Sequence, residues 1–125
     1  MPQIFITLAG ILGGLSVAAG AFASHALRAR LSERAIEVFE TAARYQMYHA
    51  IALLIVALLL SRTEFAQSAL VATGWAFVIG TVIFSGSLYA LSLTGIKVLG
   101  AITPLGGAAF IFGWLCLAYA GFSIK

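Results

Sequence analysis

The chain has 125 residues, of which 62% are hydrophobic and 9% are charged, and its formal net charge is +3. Soluble domains average about 45–50% apolar and about 25% charged residues, so this composition excludes a soluble globular protein. The seven basic residues are scattered and do not form the dense basic patch that nucleic-acid binding requires, so we expect no nucleic-acid partner. The sequence contains no Asp or Asn, which excludes N-glycosylation sequons, Asp-based magnesium sites and EF-hand loops.

Four stretches without Asp, Glu, Lys or Arg occupy most of the chain, at residues 1–27, 45–61, 65–96 and 98–124. A helical membrane crossing needs about 20 apolar residues, with a usable range of roughly 17–25. Each stretch therefore supplies one crossing. We predict an all-α polytopic membrane protein with a single four-helix transmembrane domain over residues 1–125. The expected crossings are residues 4–24, 45–60, 66–91 and 104–121.

The first crossing carries a stripe of small residues at alternating spacings of four and three, namely Ala9, Gly13, Ser16, Gly20 and Ala23. The last crossing carries a similar stripe that includes Gly106 and Gly113. Small residues let helix backbones approach closely in lipid. We therefore predict that the first and last crossings pack against each other through these stripes. The same kind of face can mediate self-association.

Residues 32–44 form an amphipathic segment, which we predict to be an interfacial helix on the cytoplasmic side. Its polar side chains fall within roughly 60° of one another on a helical wheel. They are Glu33, Glu37, Glu40 and Arg44. We interpret them as a solvated charged face, with Glu40 and Arg44 as an i,i+4 pair, rather than as a catalytic carboxylate pair. Ser32 is the predicted N-cap, and no Pro or Gly separates this segment from the second crossing, so residues 32–60 can be one helix.

The distribution of basic residues predicts the orientation. The loops after the first and third crossings share one side and carry Arg28, Arg30, Arg34, Arg44 and Lys97. The other side has Arg62, Lys125 and the terminal amine. Lys and Arg near crossing ends favour the cytoplasm, so we predict that both termini lie outside.

Four segments together resemble a known family. They are GAFASHAL at residues 20–27, YQMYHA at 45–50, FSGSLY at 84–89 and LGAITPLGG at 99–107. In this order they are similar to the YgdD/YwdK-like family, small bacterial membrane proteins grouped as a domain of unknown function with an animal transmembrane relative. The resemblance covers essentially the whole chain and implies four crossings in the bacterial cytoplasmic membrane. It implies no particular activity.

Two histidines are the candidate functional groups within the membrane. His25 lies at the cytoplasmic end of the first crossing, and His49 lies on the helix face opposite the glutamates, so it should face other helices. We favour an interhelix hydrogen-bonding role, with the two histidines as neighbours bonded to each other or to backbone carbonyls. The alternatives are a proton, quinone or small-solute site, and metal or bis-histidine haem ligation. Structural zinc needs four ligands and Cys116 lies away from both histidines, so we expect no metal or cofactor.

The second candidate is the helix start at Thr103 and Pro104, where Thr103 is the predicted N-cap. Free N–H groups at a helix start can receive an anion, and the broken helices of transporters use this arrangement, but we favour a simple helix start. The sequence contains no recognisable catalytic set. We expect a non-enzymatic accessory, assembly or lipid/protein-interaction factor whose partners are the lipid bilayer, another membrane protein or itself. The alternative is an oligomeric small-solute or proton transporter or channel that uses His49 and residues 104–107.

Overall fold

The structure, a computed structural model, describes residues 1–124; Lys125, one of the charges used to predict the orientation, lies outside them. Four of its helices are long and apolar enough to cross a membrane, which confirms the predicted all-α, four-crossing architecture. The elements in chain order are α1 (Pro2–Phe22), a π-helical turn (Ala23–Leu27), α2 (Glu33–Arg62), α3 (Gln67–Thr94), a 3-10 turn (Lys97–Ala101) and α4 (Thr103–Ser123).

Helix α2 joins the amphipathic segment and the second crossing into one helix of 30 residues. No Pro or Gly lies between residues 33 and 62, so nothing interrupts its backbone hydrogen bonds. At its start, the Ser32 hydroxyl accepts a hydrogen bond from the backbone N–H of Ala35 at 3.1 Å, so Ser32 is the N-cap, as predicted. The first loop is correspondingly short, and the charged segment is the first three turns of a crossing helix.

The ends of α3 and α4 differ in how well they follow local sequence signals. Gly95 ends α3 in the left-handed conformation, with φ of 72°, and its N–H donates to the Leu91 carbonyl at 2.8 Å. Helix α4 begins at Thr103 itself, and the Thr103 hydroxyl bonds the Ser87 hydroxyl at 2.6 Å. The prediction of Thr103 as an N-cap is therefore wrong, because its hydroxyl bonds the Ser87 hydroxyl of α3 and does not bond a backbone N–H at the start of α4.

The helices pack in chain order: α1 against α2, α2 against α3, and α3 against α4. Their common core is apolar and lies toward the end of the bundle that carries the N-terminus. Its large, fully buried side chains are Phe5, Leu53, Val56, Leu70 and Phe77. Since successive helices run in opposite directions, the first and last described residues lie at the same end of the bundle.

The predicted packing of the first crossing on the last is wrong. Within residues 1–124, the stripe of α1 faces α2, where a Cβ added to Gly13 would lie 3.8 Å from the Cβ of Ala50. The stripe of α4 faces α3, where a Cβ added to Gly113 would lie 2.7 Å from the Phe77 ring. Small residues allow a close approach but do not specify the partner. In each case the stripe packs against the helix that is adjacent to it in the sequence.

The charged face of α2 also pairs differently from the prediction. Glu40 pairs with Arg28 of the preceding turn at 3.7 Å, and Arg44 instead donates to the Thr41 hydroxyl at 3.4 Å. The expected Glu40–Arg44 pair is therefore wrong. The short first loop carries Arg28 back over α2 and gives Glu40 a partner that helical spacing alone does not reveal.

Candidate functional site

The His49 side chain is the centre of a buried aromatic cluster where α2, α3 and α4 meet. It is only 5% exposed. The Phe110 ring stacks on its imidazole at a centroid distance of 3.5 Å, and Phe77 meets it edge-on at 5.1 Å. The face of α2 opposite the glutamates therefore points into the bundle, as its position on the helical wheel indicates.

Both ring nitrogens of His49 have protein partners. The Trp114 indole N–H can only donate a hydrogen bond, and it lies 3.1 Å from Nε2, so Nε2 is the acceptor. It follows that Nδ1 carries the proton and donates to the backbone carbonyl of Tyr45 at 2.8 Å. His49 is then a neutral imidazole that links α2 to α4. A metal ion at Nε2 would have to displace Trp114.

Gln46, one turn before His49, links three helices. Its Nε2 donates to the Leu12 carbonyl of α1 at 2.7 Å, and its Oε1 accepts from the Tyr89 hydroxyl of α3 at 2.7 Å. Gln46 is 5% exposed, so both bonds lie away from water. Bonds between side chains and backbone across helices are a common way of joining helices in lipid.

Serine hydroxyls add further bonds between the helix pairs that Gln46 joins. Ser16 of α1 donates to the Ala43 carbonyl of α2 at 2.6 Å, and Ser85 of α3 donates to the Ala42 carbonyl at 2.7 Å. Together with the bonds of Gln46, His49 and Thr103, these form a polar layer that we call the hydrogen-bonded layer. It occupies the half of the bundle nearer the first loop, where a smaller apolar cluster contains Ile36 and Phe39, and the larger apolar cluster extends through the other half.

His25 lies apart from this layer. It is exposed on the π-helical turn, and it lines a groove with Glu40 and Arg44, on the opposite side of α2 from His49. Glu40 and His49 are nine positions apart, which at 100° per residue is two and a half turns, so their side chains point to opposite sides of α2. The prediction that His25 and His49 are neighbours is therefore wrong, and they cannot together hold one ion or haem.

Two of the glycines of α4, Gly106 and Gly113, allow α3 to approach closely. A Cβ at Gly106 would clash with the backbone of Phe84, and one at Gly113 would clash with Phe77. By contrast, Gly20 of α1 has open space where its Cβ would be. The structure therefore brings Gly106 and Gly113 into a helix contact and leaves Gly20 at the edge of the groove that His25 lines.

Sequence reasoning missed Gln46, Tyr89 and Trp114, although each contributes a hydrogen bond that joins helices. A signal was present for two of them: Gln46 and Tyr89 lie within the segments YQMYHA and FSGSLY that carry the family resemblance. Trp114 gives no such signal, because an aromatic residue in an apolar crossing is equally compatible with facing lipid.

The chain is similar to a set of bacterial membrane proteins. The family model described as "Protein of unknown function (DUF423)" matches residues 19–107. The UPF0382 membrane protein YwdK of Bacillus subtilis is 44% identical over 118 residues, which cover 94% of this chain and 95% of the relative. The UPF0382 membrane protein of Haemophilus influenzae is 42% identical over 126 residues, covering 100% of this chain and 98% of the relative. No solved structure matches the chain.

Proposed function

Because the chain belongs to the DUF423 family of membrane proteins, whose description names no activity, we propose from its geometry that it is a non-enzymatic accessory or assembly protein. It acts by contact with other components of the membrane, among them a partner membrane protein. We assign it to the bacterial cell membrane in line with its relatives.

The observation that carries this proposal is the use of the interior polar groups. The side chains of Gln46 and Thr103 bond other helices of the same chain, and His49 bonds Trp114 of α4 and the Tyr45 carbonyl of its own helix. Within residues 1–124 the exception is Thr81, whose buried hydroxyl has no hydrogen-bond partner. A catalytic or transport site would need such groups to be available to a substrate. In this bundle they stabilise the scaffold, so the proposed activity belongs to the outer surface.

The outer helices provide that surface. In the most apolar stretch of each crossing, 17% of the residues are buried in the crossing that contains α1 and 22% in the one that contains α4. The shares for α2 and α3 are 50% and 39%. Helices α1 and α4 form the two edges of the bundle. Most of their side chains therefore face lipid or a protein that is bound in place of lipid. The proposed partner therefore contacts α1 or α4.

Site-specific photocrosslinking in cells tests this proposal. A photoreactive residue replaces Gly14 on the outer face of α1 or Leu115 on the outer face of α4, and Val56, which is fully buried, is the control. We expect discrete protein adducts from position 14 or 115 and none from position 56. Adducts with lipid alone at both outer positions would contradict the proposed protein partner.

The rival function, an oligomeric transporter or channel, is tested by solute and proton flux in liposomes. We expect no flux above that of empty liposomes. A flux that disappears in His49→Ala and persists in His25→Ala, with both variants folded, would replace our proposal by the rival.

A further inference from the structure

The groove beside His25 changes from apolar to charged along its length. It lies between the end of α1 and the surface-proximal half of α2 and has a volume of about 540 Å³. Val17 and Met47 line the end away from the first loop, and His25 lines the end near it. Arg44 starts level with Val17, because the Ser16 hydroxyl bonds the Ala43 carbonyl, and its guanidinium extends toward the first loop, where it bonds the Thr41 hydroxyl. At 1.5 Å per residue, the eight residues from Val17 to His25 span roughly 12 Å along the helix axis. Gly20 leaves the groove open between these two ends, because a Cβ there would meet nothing within 4 Å.

The charged side chains that line the groove are Glu40 and Arg44, and only Glu40 has an ion-pair partner within residues 1–124. That partner is Arg28, which pairs with Glu40 at 3.7 Å. Arg44 is exposed. Its guanidinium donates a hydrogen bond to the Thr41 hydroxyl at 3.4 Å. The lining holds one arginine and one glutamate, and because Arg28 pairs with Glu40 from outside the groove, Arg44 is the charged group of the lining that has no ion pair in the described part of the chain.

This polarity suits an amphiphile with an anionic head. A guanidinium binds a phosphate through two parallel hydrogen bonds, which favours Arg over other cations for this ligand. Basic pockets between crossing helices near the cytoplasmic surface are typical binding sites for anionic lipid headgroups. A free phosphate would use the charged side chains alone and would leave the apolar floor uncovered.

We propose that this groove binds an anionic phospholipid. Its phosphate contacts Arg44 and His25, and one acyl chain lies along Val17, Gly20 and Met47. The site goes beyond the proposed accessory function and does not depend on any protein partner, because its ligand is a component of the bilayer itself.

Native mass spectrometry of the full chain in detergent tests the site, with phosphatidylglycerol and phosphatidylcholine of identical acyl chains as probes. We expect preferential retention of phosphatidylglycerol. In Arg44→Gln this retention should fall about fivefold, toward the level of phosphatidylcholine, because one basic residue near the headgroup is lost. The matched control is Arg34→Gln, since Arg34 is exposed and pairs with Glu37 outside the groove; it should keep the wild-type preference.

Gly20→Leu tests the apolar part of the groove. A Cβ at this position meets nothing within 4 Å, so we expect the variant to fold, and the rest of the leucine side chain should occlude the groove and reduce the retention of phosphatidylglycerol. Thermal unfolding curves that match the wild type establish the fold of each variant. Equal retention of the two lipids, unchanged retention in Arg44→Gln or in Gly20→Leu, or full displacement of the lipid by equimolar inorganic phosphate would each overturn the proposal.

Discussion

At the scale of single residues, the α3–α4 contact depends on the absence of side chains. Gly106 lies against the backbone of Phe84, and Gly80 of α3 lies under Phe110, whose ring a Cβ would approach to 2.6 Å. A ring can turn away from an added methyl group, whereas a backbone cannot move without the whole helix. Gly106 should therefore be the least tolerant of these positions.

We predict that Gly106→Ala lowers the free energy of unfolding by about 1–3 kcal/mol, the usual cost of forcing extra volume into a packed interior. The matched control is Gly10→Ala, because a Cβ at Gly10 meets nothing within 4 Å. Ala favours a helix over Gly by up to about 1 kcal/mol, so the control should be neutral or stabilising. Thermal unfolding of both variants in one detergent measures the difference, and equal stabilities would contradict the close contact.

The hydrogen bond between Trp114 and His49 gives a second prediction. Trp114→Phe removes the only donor to Nε2 seen among residues 1–124 but keeps an aromatic ring. We expect a loss of roughly 0.5–1.5 kcal/mol, as for other interhelix hydrogen bonds in membranes. Trp75→Phe is the control, because Trp75 packs edge-on against Phe5 at 5.3 Å and the described structure records no bond from its indole. An equal loss in both variants would show that ring volume, not the hydrogen bond, matters.

At the scale of helices, α2 is the central element. It bonds α1 through Gln46 and Ser16, α3 through Gln46 and Ser85, and α4 through His49. Half of the most apolar part of α2 is buried, more than in any other crossing helix among the described residues. Substitutions in α2 should therefore weaken its contacts with all three of the other crossing helices.

A double-mutant cycle tests the coupling of α2 to α3. Gln46→Leu and Tyr89→Phe each remove the 2.7 Å bond between the two side chains, so their effects on stability should not add. We expect a coupling free energy of about 0.5–1 kcal/mol, with Gln46→Leu the costlier change because it also frees the Leu12 carbonyl. Exposed Gln3→Leu serves as the control for the polarity change. Full additivity would contradict the bond.

Local signals were enough to predict the existence of the helices and some of their ends. The uncharged stretches predicted four crossings, and the hydroxyl side chain of Ser32 was enough to predict it as the N-cap of α2. The helix partners were not predictable in this way. The bond between His49 and Trp114 joins residues 65 positions apart, and nothing in either local segment specifies the other. The same limit explains why the glycine stripes were assigned to the wrong neighbours.

At the scale of the whole molecule, the orientation in the membrane stays a prediction. We expect the first loop in the cytoplasm and both termini outside, because most basic residues lie beside the first loop. Single cysteines at the exposed positions Glu37 and Glu64, in a Cys116→Ser background, report on the two sides. In intact cells, an impermeant thiol reagent should label position 64 and spare position 37. The reverse pattern would invert the orientation.

The chain-order packing of the four helices has a consequence for biogenesis. When a nascent chain leaves the ribosome, α2 can dock on α1, α3 on α2 and α4 on α3, each on a helix that has already entered the bilayer. The main contacts join helices that are consecutive in the chain, although Phe5 of α1 also packs against Trp75 of α3. The bond from Trp114 to His49 is then made last, so it closes the bundle only after α4 has been inserted.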